Sequence, residues 1–148
     1  MRILTAAALF ALCLFADPLT PGSSLGSYTL RDQFDTPHRF SRENYTRIVV
    51  AQSREDALKV VEFLQRQPKD FLSTHHCAFV SDIHSMPTLV TKLFALPKMK
   101  KYPFAVLLIY EKEHNIFPMR EGKLTFITLQ NNTLLKVSFG DEIARFFR

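Results

Sequence analysis

The chain has 148 residues, with 19 Lys and Arg against 14 Asp and Glu for a formal charge of +5, and 47% of its residues are apolar. That length holds one domain with a real core, since single domains cluster around ~100–150 residues. The positive excess is spread out. Its nearest approach to a patch, Lys98, Lys100 and Lys101 with Arg120 and Lys123, reads as a solvated loop, and without a nucleic-acid motif it gives no reason to expect a nucleic-acid partner.

Met1 and Arg2 precede a mostly apolar run from Ile3 to Phe15, and Ala16-Asp17 then leads into Pro18, Pro21 and Gly22. This is a signal-peptide pattern, too short for the ~20 residues of a membrane-spanning helix. We expect cleavage after Ala16, no membrane span in the remaining chain, and a periplasmic or secreted location. Retention of the segment as a tether is the alternative; lipid modification of Cys13 is disfavoured by the bulky Leu12. Cys13 lies in this segment, so the exported chain would hold Cys77 as its single thiol and form no intramolecular disulfide.

Residues 17–27 have linker composition and are expected to be flexible. From Tyr28 onward the pattern is that of one domain, 28–148. Tyr28 to Leu30 and His38 to Phe40 read as a small hairpin around Asp35-Thr36-Pro37. Arg47 to Gln67 is the organising unit. Ile48, Val49, Val50 and Ala51 suit a strand buried on both faces, as in a parallel sheet. Ser53 then stands as N-cap of a helix with Glu55 and Asp56 in its first turn, and Pro68 ends that helix.

Cys77 to Val80 repeats the strand, and Ser85-Met86-Pro87 starts a second helix. Leu89, Val90, Leu93 and Phe94 are expected to form its buried stripe, with Pro97 as its stop. The alternation of strand and helix argues for parallel pairing with right-handed crossovers. Phe104 to Ile109 is an extra strand. Lys123 to Gln130 and Thr133 to Phe139 form an antiparallel hairpin around Asn131-Asn132, and a helix follows from Gly140-Asp141, with Ile143, Phe146 and Phe147 inward.

This α/β order, an N-terminal hairpin, βαβα, an extra strand, an antiparallel ββ hairpin and a C-terminal helix, resembles a thioredoxin-like domain of the TlpA and peroxiredoxin-related type. Leu30-Arg31-Asp32-Gln33-Phe34 with Pro37-His38 is similar to the entry hairpin of that group, where an Asp-Gln pair precedes the turn. The resemblance implies an exported bacterial protein of that superfamily. In its redox members the active cysteine sits after the first core strand, at a helix N-terminus that lowers the thiol pKa. Here that place reads Gln52-Ser53-Arg54. Redox members also carry a proline before the closing hairpin, where this chain has Glu121-Gly122. Thiol-disulfide chemistry is therefore not carried over.

Ser53 stands where a nucleophile would, and equally where a helix cap would. Arg54, beside free helix amides, suits an anion or plain exposure. His75, His76, Cys77, Asp82 and His84 raise a metal site, but neighbouring residues of a strand point to opposite faces and the ligand spacing of structural zinc is absent, so we expect no metal and no cofactor. Cys77 reads as core. Glu111 and Glu113 read as turn charge, and Asn44 and Asn131 open glycosylation sequons.

The reading is a binding or scaffolding domain of the cell envelope or periplasm, non-enzymatic, with an unknown protein or small-molecule partner. Its ligand face is expected at the carboxyl ends of the strands: Gln52, Ser53, Arg54, Asp82 and the loop Arg120, Glu121, Gly122. The alternative is a thioredoxin-superfamily enzyme that uses Ser53 or Cys77 with a bound thiol.

Overall fold

Four successive apolar residues leave a strand no face to turn to water, and β3 (Arg47–Ala51) is accordingly interior to the sheet, each of Ile48 to Ala51 being buried. It pairs in parallel with β4 (Cys77–Asp82), Ile48 opposite Ala78 and Val50 opposite Val80. On its other side it pairs antiparallel with β6 (Leu124–Gln130), Ile48 opposite Ile127. This computed structural model describes residues 18–148. The expected signal segment 1–16, with Cys13, lies outside the described residues.

The remaining strands extend the sheet both ways. β5 (Leu107–Ile109) lies parallel to β4, so the extra strand continues the parallel half. β1 (Thr29–Asp32) is antiparallel to β5 and forms the entry hairpin with β2 (Pro37–Arg39). β7 (Thr133–Gly140) closes the other edge as a hairpin with β6, turning through Asn131 and Asn132 at φ 51° and 60°, left-handed values that asparagine tolerates. The order across the seven strands is β2-β1-β5-β4-β3-β6-β7.

Among the described residues the α-helices pack on one face, as two successive right-handed crossovers in the same direction require. α1 (Arg54–Gln65) begins at Ser53, whose Oγ accepts from the Asp56 amide at 3.1 Å, and ends ahead of Pro68. The single turn α2 (Phe71–Thr74) follows. Beneath the helices lie Val49, Ala51, Phe79, Leu108 and Phe126. The C-terminal helix is one turn, α5 (Ile143–Phe146); Ile143 is buried and Phe147 stacks on Phe63 at 5.9 Å.

The second crossover departs from expectation twice. α3 (Thr88–Val90) runs through a π-helical turn, Thr91–Ala95, into α4 (Leu96–Met99), so one helix spans 88–99 and passes Pro97. Leu96 donates its amide to Thr91 O, five residues back. That wide turn places Pro97 at the start of a new α-helical turn, where a missing N–H costs nothing. The expected buried stripe also points outward: Leu89, Val90, Leu93 and Phe94 are exposed, while Thr91 is buried and Leu96 and Met99 pack on the core. The helix is apolar on two sides, and the strand packing selects the side holding Thr91, Leu96 and Met99.

Side chains alternate across a strand, so Ile48, Val50, Val80, Leu107 and Ile127 face the other side. No helix among the described residues covers them. Leu25, Tyr28, Phe40, Tyr45 and Phe117 do. Residues 18–27, of linker composition, are therefore docked rather than free. Gly22 donates to Leu134 O at 2.8 Å, Leu25 donates to Asn132 O at 3.0 Å, and the Leu25 side chain is buried.

Candidate functional site

The carboxyl ends of β3 and β4 converge on one polar cluster. Asp82 ends β4 with its side chain only 2% exposed. Its Oδ2 accepts from Asn115 Nδ2 at 2.6 Å, and its Oδ1 lies 2.6 Å from His84 Nδ1 and accepts the His84 amide at 2.9 Å. Asn115 Nδ2 also donates to Gln52 Oε1 at 2.8 Å, so one amide bridges the last residue of β4 and the residue that follows β3. Asn115 is itself held: its Oδ1 accepts from the Phe117 amide at 3.1 Å. Next to it, Tyr28 donates its hydroxyl to His114 O at 2.6 Å. Burial, and then the charge of Asp82, push the Tyr28 hydroxyl pKa up, which keeps that donor protonated.

This arrangement locks the imidazole of His84 by its Nδ1 and leaves Nε2 as its outward nitrogen, a geometry suited to holding a polar group. It contains no nucleophile. Ser53 Oγ is occupied as the α1 cap. Arg54 sits at the mouth of an apolar groove between α1 and the 88–99 helix. Leu58 and Val61 form one wall of this groove, Val90 and Phe94 the other, and Phe79 and Val106 the floor, around a cavity of about 190 Å³.

Of the residues expected to form a ligand face, the fold joins Gln52 to Asp82 through Asn115 and sets Ser53 and Arg54 alongside at the helix start. Arg120, Glu121 and Gly122 form the turn into β6, with Gly122 at φ 70° and the Lys123 amide donating to Arg120 O at 3.1 Å. Arg120 turns toward β7, its guanidinium carbon 4.5 Å from the centroid of the Phe139 ring. No hydrogen bond among the described residues ties this loop to Gln52 or Asp82. Asn115 closes the charged turn from Glu111 and carries no signal of its own in the sequence. Its partners are 63 and 33 positions away, and no local pattern signals them.

The sequence cluster His75, His76, Cys77, Asp82 and His84 is split by β4. The first three stand at its start and the last two at its end, separated by a six-residue strand, roughly 15–20 Å. Among the described residues no group of three or more His, Cys, Asp or Glu is placed to hold a metal. His38 pairs instead with Asp32, Nε2 to Oδ2 at 2.7 Å. Cys77 is 3% exposed, and burial pushes its thiol up to about 12 against the opposing pull of Arg47 and a backbone hydrogen bond from Val49. A thiol so placed is not the thiolate that redox chemistry uses.

No protein-family model matches this chain, and no curated protein matches it significantly. Solved structures do. A proposed protein disulfide isomerase from Bacteroides thetaiotaomicron aligns with a TM-score of 0.56 at 13% identity, over 87% of this chain and 86% of that one. The thioredoxin domain of a thiol-disulfide oxidoreductase from Bacteroides vulgatus aligns at 0.51 and 11% identity, over 88% and 99%. A peroxiredoxin-like protein from Aquifex aeolicus aligns at 0.51 and 8% identity, over 87% and 81%. The fold is therefore thioredoxin-like. At these identities the likeness is one of fold alone, and a fold does not carry a function with it.

Proposed function

We propose that the chain is an exported binding domain with a thioredoxin-like fold and no thiol chemistry of its own. Its binding surface is the groove beside the start of α1 together with the adjoining face of the 88–99 helix. The observation that carries this reading is the outward stripe: Leu89, Leu93 and Phe94 are 68%, 57% and 70% exposed beside an open apolar groove. A cluster of large apolar side chains held in water marks an interaction site. The signal-peptide pattern at residues 1–16 supports export. The enzyme alternative is given no thiolate by Cys77 and no disengaged hydroxyl by Ser53.

The test pairs a solvatochromic apolar dye with a disulfide-reduction assay. The wild-type chain should enhance dye fluorescence, Phe94→Asp should abolish most of that enhancement, and Leu135→Asp, an exposed site on β7, should not. Disulfide reduction should be absent and unchanged by Cys77→Ser or Ser53→Ala. Equal dye binding by the Phe94 variant, or a reductase activity lost in Cys77→Ser or Ser53→Ala, would overturn the proposal.

A further inference from the structure

We infer that the 88–99 helix face docks on an anionic lipid surface, an inference that rests on the binding surface just proposed and names its partner. Between Asp82 and Glu111 the chain has neither Asp nor Glu, yet it holds Lys92, Lys98, Lys100 and Lys101, all exposed. Among the described residues the ion pairs engage Arg31, Lys59, Lys123, His38 and His84, and none of these four lysines. Uncompensated positive charge thus borders the ridge of Leu89, Leu93 and Phe94. A surface that covers this ridge has to be apolar within and negative at its rim.

Two features favour lipid over an acidic protein segment. The stretch contains lysine and no arginine. Lysine is a compact charge with no planar fork to read a fixed carboxylate geometry, so it suits a fluid layer of headgroups. The exposed apolar side chains Leu89, Leu93 and Phe94 also stand on one helix with Lys92 and Lys98, the composition with which an interfacial helix sinks Leu and Phe below the headgroups while lysines remain among them.

The test is flotation of the full chain with vesicles of phosphatidylcholine alone and of phosphatidylcholine mixed with phosphatidylglycerol. Arg2 and the N-terminal amine are also positive, so it is the triple lysine variant, which leaves them in place, that reports on the lysines. We expect tighter partition into the anionic vesicles and loss of that preference as salt rises. Lys98→Gln, Lys100→Gln and Lys101→Gln together should weaken anionic partition by about a hundredfold, at about fivefold per lysine. Leu93→Asp should weaken it as well, and both variants alter exposed side chains, so unchanged circular dichroism checks their folding. Equal partition into both vesicles, or an anionic preference that survives the triple variant, overturns the inference. An amphipathic Leu-Glu peptide separates the outcomes: if it binds the wild type and not the variants while vesicles show no preference, the partner is a protein and the binding surface stands. If neither vesicles nor peptide bind, both readings fall.

Discussion

The Val106 amide donates to Gln33 Oε1 at 2.8 Å, across 73 positions of sequence. The same side chain donates through Nε2 to Phe104 O at 2.8 Å and to Met99 O at 3.2 Å. One buried glutamine therefore stitches the entry hairpin to the segment between the 88–99 helix and β5. It fixes the chain where that helix ends, at Met99.

Replacing Gln33 with Leu strands the Val106 amide and the Phe104 carbonyl away from water, while Met99 O keeps its hydrogen bond from the Tyr102 amide at 3.0 Å. Each buried group left unsatisfied costs about 1–3 kcal/mol, so Gln33→Leu should lower unfolding stability by several kcal/mol. Urea denaturation followed by circular dichroism measures it. A loss below about 1 kcal/mol would mean that the clasp is not a structural determinant.

Asp32, the neighbour of Gln33, organises its own turn. Its Oδ1 accepts from the Phe34 and Thr36 amides at 2.8 and 3.0 Å, and its Oδ2 meets His38. Burial works to raise this carboxyl, but the His38 hydrogen bond and the two amides together hold its pKa below the usual value. A group with a depressed folded pKa stabilises the fold above its unfolded value, about 3.9, and that stability is lost as pH falls through the folded one. Asp32→Asn should therefore be less stable than wild type at neutral pH, with the difference shrinking below about pH 4. Urea midpoints taken from neutral pH downward test the sign; a gap that widens in acid contradicts it.

Asn115→Leu removes the bridge between Gln52 and Asp82 and deprives a buried carboxylate of a donor. Hydrogen bonds to charged groups are worth about 1.5–3 kcal/mol, and the loss should fall in that range. The His84 imidazole signal in an NMR spectrum should shift, because its Asp82 partner is no longer held from the Asn115 side. An unmoved His84 would show that the cluster is not mechanically coupled.

Cys77 should react with a thiol reagent only after unfolding. Burial pushes its thiol up to about 12, so the thiolate is scarce at pH 8, and the side chain is sealed from the reagent as well. Addition of denaturant should speed labelling by orders of magnitude. Fast labelling of the native chain would restore the thiol-dependent reading of the site.

Much of this architecture was legible because its signals are local. The apolar quartet Ile48 to Ala51, the Ser53 cap and the Asn131-Asn132 turn each act within a few residues, and each stands where the sequence places it. The site was legible only in part. Gln52 and Asp82 follow from the rule that strand ends carry ligands, but Asn115 comes from a loop whose approach depends on the whole sheet. His84 was visible in a histidine-rich cluster that the length of β4 pulls apart.

The order of strands and helices, the absence of a cysteine at the turn after β3 and the lack of acidic residues between Asp82 and Glu111 were determined by the sequence itself, because each is a matter of residue identity and short-range periodicity. The orientation of the 88–99 helix was not. That helix carries two apolar stripes, and its periodicity favours the one holding Leu89 and Leu93. Only the tertiary structure chose the other, for a physical reason: the π-helical turn that admits Pro97 changes the helix register, and the sheet and the Gln33 clasp accept the face of Thr91, Leu96 and Met99. The stripe left over became the exposed surface.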